Sequence, residues 1–250
     1  MDKPAHGEGK TRLLLLCGAL AGPLFCIAWF SEGLARDGYD PLRHAISGLS
    51  LGENGWTQIA NFIVTGISTV ALAFGLSRAF RSGRTRTWTT ILITTVGIGF
   101  LGTGLFASDP MNGYPPGTPA LVLPPTLSGA FHVFFSSLIF GLPVACLVVA
   151  RNFDDRGEGS WAIYARSTAG VFIIVYLSAM AGFLQQQGLV DYAGLLQRIS
   201  LVIVLTWMTL LSFHLLDSTP HHGVVGPSAA RGGILPPDPA RCAAEVKPDR

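Results

Sequence analysis

Residues Leu13–Ser31 read LLLLCGALAGPLFCIAWFS, nineteen consecutive residues without a charge. A helix rises about 1.5 Å per residue, so such a run is about long enough to cross a hydrocarbon core about 30 Å thick. Five more runs of this kind follow: Trp56–Leu76, Trp88–Ala107, Ser128–Ala150, Tyr164–Leu184 and Leu195–Leu216. None alternates apolar with polar residues as a barrel strand would. Helices are predicted, because a helix satisfies its own backbone polar groups in lipid. The expected fold class is all-α: a polytopic membrane protein, a six-transmembrane-helix bundle with one extra short interfacial helix in the first outer loop.

The composition agrees. Of 250 residues, 49% are hydrophobic and 13% charged, against about 25% charged in soluble domains. Mean hydropathy is +0.46. A soluble enzyme and a disordered chain are both excluded on these grounds. The lipid bilayer is the first expected partner. The net charge of +2 and the lack of a basic stripe predict no nucleic acid. Cys17, Cys26, Cys146 and Cys242 form no CxxC pair, so neither a zinc ribbon nor a disulfide framework is expected. Lys3 and Lys10 ahead of the first run also suit a signal peptide. The run is long for one, and no small-x-small site closes it, so an uncleaved span is predicted.

The domain reading is a cytoplasmic tail over 1–11, six spans within 12–216, and a disordered cytoplasmic tail over 217–250. That last tail holds six prolines and no apolar period. Orientation follows from basic residues. Fourteen of the 17 Lys and Arg fall on the side shared by the termini; Arg36, Arg43 and Arg198 fall on the other. The positive-inside rule then places both termini in the cytoplasm, with the protein in the cell membrane. Trp56, Trp88, Trp161 and Tyr164 mark span starts, and Pro23 and Pro143 predict kinks in spans one and four.

The two connections on the outer side are the specialised ones. Residues 32–55 read EGLARDGYDPLRHAISGLSLGENG, and 108–127 read SDPMNGYPPGTPALVLPPTL. Asp40 followed by Pro41 suits an N-cap with proline at the first helical position, predicting a short helix Leu42–Leu51 that Gly52 ends. It would lie at the interface or dip into the bundle mouth. Asp109 closes span three, and Ser128, His132 and Ser136 share one face of span four. An imidazole at that depth needs an interior partner, and Asp109 is a candidate. Asn61 opens span two. Arg198 is expected to pair with Asp40, Asp109 or Asp191, because an unpaired guanidinium in a span is costly. Asp40, Arg43, His44, Asn61, Asp109, Tyr114, His132 and Arg198 are therefore predicted to gather in one outward-facing polar pocket. Gly97-Ile-Gly99-Phe-Leu-Gly102 spells a dinucleotide-binding pattern, but it lies within a span and predicts close helix packing instead.

Tyr39-Asp40-Pro41-Leu42-Arg43-His44-Ala45-Ile46-Ser47-Gly48-Leu49-Ser50-Leu51-Gly52, then Gly55-Trp56 and Ala60-Asn61-Phe62, form one motif block. Asp109-Pro110, Gly113-Tyr114-Pro115-Pro116-Gly117 and His132 form another. Together they resemble the "domain of unknown function 998" family of bacterial and archaeal membrane proteins, over residues 13–216. The resemblance implies a six-helix integral membrane protein. It brings no activity and no cofactor.

Two functions are expected candidates. In the first, the outer pocket binds a small molecule or lipid headgroup, with Arg43 and Arg198 meeting an anionic group. In the second, the chain is a membrane hydrolase of lipid-like substrates. There His44 and His132 are metal ligands or general bases, Asp109 or Asp40 a ligand or orienter, and Ser47 a nucleophile. A transporter is disfavoured by the near absence of ionisable residues at mid-bilayer depth.

Overall fold

The computed structural model describes residues 5–80 and 83–217. The expected disordered tail, with His221, His222 and Cys242, lies outside the described residues beyond Asp217, as does Lys3. The described residues form seven α-helices and three short 3-10 helices. The α-helices are α1 (Ala5–Ala35), α2 (Trp56–Ala79), α3 (Arg84–Leu105), α4 (Leu127–Ser137), α5 (Gly141–Asp155), α6 (Gly159–Phe183) and α7 (Ala193–Asp217). Six continuous helical stretches are long and apolar enough to cross a membrane, with α4 and α5 together making the fourth. This is a multi-pass membrane protein. Its helices outrun the apolar runs: α1 starts eight residues before Leu13, because helical geometry carries on through polar sequence once the span has nucleated it.

Each helix packs on the next. α1 packs on α2, α2 on α3, α3 on α4 and α5, α5 on α6, α6 on α7, and α7 returns to α1. The spans thus close a ring. Inside it lie Leu15, Phe25, Leu72, Ile93, Phe172 and Trp207, all fully buried. The outside of the ring is as oily as the inside. Leu13, Leu20, Leu24, Ile27 and Leu34 are exposed along α1, and Ile163, Ile174 and Leu177 along α6. Lipid tails are as apolar as leucine, so such a surface suits a bilayer and helix contacts must come from close fit.

Glycine supplies that fit. A Cβ on Gly97 would stand 3.0 Å from the Gly66 carbonyl of α2, and one on Gly66 would stand 2.9 Å from the Gly97 carbonyl. Gly99 and Gly102 face α4 instead, where Phe135 and Leu138 occupy the space a side chain would need. The three glycines of the pattern therefore serve two helix interfaces.

Both span prolines have structural answers. Pro23 offers no N–H to the Ala19 carbonyl, and the Thr209 hydroxyl of α7 donates to it at 3.2 Å. Helix α1 continues through Pro23 unbroken. Pro143 lies four residues beyond Ile139, and the helix tightens to 3-10 over Leu138–Phe140 before resuming as α5. That break separates α4, which packs on α3, from α5, which packs on both α3 and α6.

One end of the ring carries the connections 36–55, 106–126 and 184–192, and is called the loop end below. The expected short helix is there, but as a 3-10 helix Ile46–Ser50 of five residues, all buried. Asp40 still acts as a local cap: its carboxylate accepts from Leu42 N–H at 2.9 Å, and its carbonyl from His44 N–H at 2.8 Å. Ala45 then turns extended and breaks the helix. At the other end, His214 pairs with Glu158 at 2.7 Å and packs on Trp161, joining α7 to the start of α6.

Replacing Gly97 with leucine forces α2 and α3 apart and should destabilise the protein by about 1–3 kcal/mol, the usual range for overpacking. A Cβ on Gly170 would have nothing within 4 Å. Gly170→Leu should leave the thermal unfolding temperature in detergent unchanged while Gly97→Leu lowers it.

Candidate functional site

Two arrangements occupy the loop end. The first is a polar clamp that ties the connections to α7. Arg198 lies in the second turn of α7 and is 5% exposed. Its Nη1 donates to the carbonyls of His44 and Gly194, both at 2.9 Å, and its Nη2 donates to the Tyr39 hydroxyl. The guanidinium also lies 5.1 Å from the Trp29 ring and 5.6 Å from the Tyr39 ring, within reach of cation–π attraction. Gln197 accepts from Ile46 N–H at 2.8 Å, and Leu195 N–H donates to the Leu42 carbonyl. Just past the end of α1, Arg36 donates to the carbonyls of Leu49 at 2.9 Å and Asn54 at 2.5 Å, closing the far end of the 3-10 turn.

Above this turn three rings meet. Tyr39 and Tyr114 stand edge to face at 5.0 Å, and His44 lies 5.1 Å from Tyr114 and 5.5 Å from Tyr39. His44 Nδ1 accepts from Asp40 N–H at 2.9 Å, so that nitrogen is unprotonated. Burial pushes its pKa below the ordinary 6.5, against the opposite pull of the Asp40 carboxylate. Burial likewise pushes the Tyr39 phenol up to about 12, so it stays neutral beside Arg198. Asn112, in left-handed backbone, donates to the Arg43 carbonyl at 3.0 Å and accepts from Gln185 at 2.5 Å. This binds the second connection to the first and to the end of α6. Arg43 itself pairs with Asp191 at 3.3 Å, the arginine half-buried and the aspartate exposed.

The second arrangement is a cavity of about 410 Å³ inside the ring. Phe25, Phe62, Tyr176 and Met180 supply apolar walls, and Ser47, Ser108, His132 and Gln197 supply polar points. The segment 108–125 roofs it. Val133 of α4, Leu123 of the roof and Leu184 after α6 belong to the lining and are well exposed, so the cavity reaches the outer face of the bundle there.

Of the residues expected to share one polar pocket, only Asp109 and His132 line this cavity. Arg43, His44, Tyr114 and Arg198 belong to the clamp. Asp40 serves the turn that follows it. Asn61 donates to the Phe25 carbonyl and to Gln58 within the helix packing. The separation has a physical cause: Arg198, Asp40, Asp109 and His132 bond to backbone left open at the ends of different helices and turns, and those ends are scattered around the ring.

Asp109 and His132 are also occupied differently from expectation. The Asp109 carboxylate accepts from Thr126 N–H at 2.9 Å and the Thr126 hydroxyl at 2.6 Å, while that hydroxyl accepts from Gly129 N–H at 3.0 Å. The carboxylate thus sits at the N-terminus of α4, where the helix dipole favours a negative charge. A side chain on Gly129 would strike it. His132 Nδ1 lies 2.8 Å from the Phe106 carbonyl, so it donates there rather than to a carboxylate. Among the described residues Arg198 pairs with no carboxylate: Asp191 is held by Arg43, Asp109 by α4, and Asp40 by Leu42.

For hydrolysis, a general base needs an orienting group, and a metal needs convergent donors. Among the described residues no three His, Cys, Asp or Glu stand together so as to hold a metal ion. His44, Asp109 and His132 are therefore not assembled as a donor set. Ser47 lines the cavity, but the carboxylate nearest in role, Asp109, caps a helix.

Sequence reasoning missed Trp29, Arg36, Asn112 and Gln185 as parts of this arrangement. Arg36 and Asn112 carried a signal of a kind, since loop ends beside bundles leave carbonyls that long donors can reach.

Residues 19–214 match the family model described as "Protein of unknown function (DUF998)". The chain belongs to this family. None of the curated proteins and none of the solved structures compared with it matches. The match covers both motif blocks and reaches from within the first span to within the sixth, and it assigns no activity.

Two measurements follow from the clamp and the cap. A histidine whose folded pKa is below 6.5 carries fewer protons folded than unfolded. Its contribution to stability is whole above that pH and falls as pH drops through it. Wild-type unfolding temperature should therefore decline below about pH 6.5 more than that of His44→Asn, whose carbonyl can still accept from Asp40. Separately, Asp109→Asn removes the charge at the α4 N-terminus and should cost about 1 kcal/mol, read by denaturant or thermal unfolding in detergent.

Proposed function

We propose that this protein binds an amphiphile at its loop end, with the apolar body in the cavity and the polar end near Ser47, Ser108, His132 and Gln197. The supporting observation is the cavity itself, about 410 Å³ with mostly apolar walls and a few polar side chains. Ligand sites commonly have this makeup, and bundles commonly hold them between helices. The exposed Val133, Leu123 and Leu184 in the lining favour a ligand that arrives from the bilayer. His132, anchored through Nδ1 to the Phe106 carbonyl, brings a hydrogen-bonding imidazole to the lining, suited to a ligand hydroxyl or acid group. The distribution of Lys and Arg supports an outward-facing cavity and cytoplasmic termini in a cell membrane.

The expectation of a polar pocket meeting an anion is thereby narrowed to a mainly apolar one. A fluorescent fatty-acid analogue should bind the detergent-purified chain saturably. Ser136 lines the cavity and the exposed Ser137 does not. Ser136→Trp should weaken binding about tenfold by filling the space, and Ser137→Trp should leave it intact. Equal, unsaturable uptake by all three proteins would refute the reading.

A further inference from the structure

The charges around the cavity restrict what it can hold. No lysine or arginine lines it, and its one carboxylate is Asp109. That carboxylate is taken up by the N–H and hydroxyl of Thr126 at the start of α4. The other polar groups of the lining are hydroxyls, an amide and an imidazole. A carboxylate or phosphate placed inside would meet no basic side chain and would face Asp109. An unpaired charge in so apolar a space is costly.

Several of those polar groups already bond within the protein. The hydroxyls of Thr103 and Ser136 donate to carbonyls of their own helices, and His132 holds Phe106. Tyr176 differs. It lies in α6, about two turns before Phe183, and is 6% exposed. Its ring stacks on Phe172 at 5.2 Å and meets Phe140 edge to face at 5.3 Å. Its hydroxyl has no hydrogen-bond partner among the described residues, and it is not sealed in the packing but opens on the cavity. Buried tyrosine hydroxyls are normally partnered, so this one is a donor held ready for something the cavity contains. Nearer the first connection, the Ser47 hydroxyl and the Gln197 amide nitrogen are likewise open, while the Gln197 carbonyl accepts from Ile46 N–H. Three unspent donors from three elements thus face one space that lacks a basic side chain.

We propose that the cavity takes an uncharged lipid with a carbonyl or ester oxygen that accepts a hydrogen bond from Tyr176, with Ser47 and Gln197 serving any oxygen nearer the connections. The inference rests on the reading of the cavity as an amphiphile site and narrows it to one chemical class. Acceptor oxygens without charge match donors without charge, and the apolar walls match the hydrocarbon that carries them. Because no protein group depends on the Tyr176 hydroxyl, Tyr176→Phe should fold with an unchanged unfolding temperature.

The test uses the full chain in a neutral detergent and four fluorescent probes of one chain length: a fatty acid, its methyl ester, the corresponding amine, and an analogue with no head oxygen. Wild type should bind the ester about tenfold tighter than the acid or the amine. Tyr176→Phe should weaken the ester about fivefold, the scale of one hydrogen bond, and leave the oxygen-free analogue unchanged. An acid or amine bound as tightly as the ester overturns the proposal, as does an ester affinity that Tyr176→Phe does not alter. Equal weakening of the ester and the oxygen-free analogue makes Tyr176 a packing residue and also overturns it. In each of these cases saturable binding lost in Ser136→Trp would leave the cavity reading standing. Saturable binding of none of the four probes overturns both.

Discussion

Inside a bilayer, a carbonyl or a charge that loses its partner has no water to turn to, and this constraint shapes the protein at every break in its helices. Where Pro23 strips Ala19 of its helical partner, Thr209 reaches across from α7. Where α3 ends, His132 donates to Phe106. Where the first connection folds into its 3-10 turn, Arg36, Gln197 and Arg198 meet the exposed backbone. Isolated hydroxyls follow the same rule within a helix: Thr69, Thr103 and Ser212 each donate to the carbonyl four residues back.

The loop end therefore owes its form to fastening more than to display. The two motif-bearing connections are held to each other by Asn112 and by the contact of Tyr39, His44 and Tyr114. Gly38, with positive φ, brings the first connection against Pro116 of the second, a backbone shape that a side chain would resist. With the connections locked, the ring beneath them keeps an unfilled space. Polar residues that look alike in sequence thus divide into those that hold the roof and the few that face the cavity.

The fold was legible because its signal is long. Six apolar runs of about 20 residues leave few alternatives once a bilayer is assumed, and the family match spans the same region. The glycine pattern in α3 was legible for a related reason: small residues inside a span have few uses besides close packing. The short helix after Asp40 was visible in position but not in type. Its sequence fits an α-turn, and the pull of Arg36, Gln197 and Arg198 on its carbonyls and amides, absent from any local pattern, tightened and buried it.

By itself the sequence determined the class of protein, the number of spans and the importance of the two connections, since hydropathy over a span is additive along the chain and needs no partner to be read. Only the tertiary structure decided which polar residue meets which. Asp109 could have faced His132 by spacing alone, yet it caps α4; Arg198 had three carboxylates within reach of its pattern and took none of them. Pairing of that kind depends on where breaks in distant helices leave donors and acceptors open, and those positions exist only once the ring has closed.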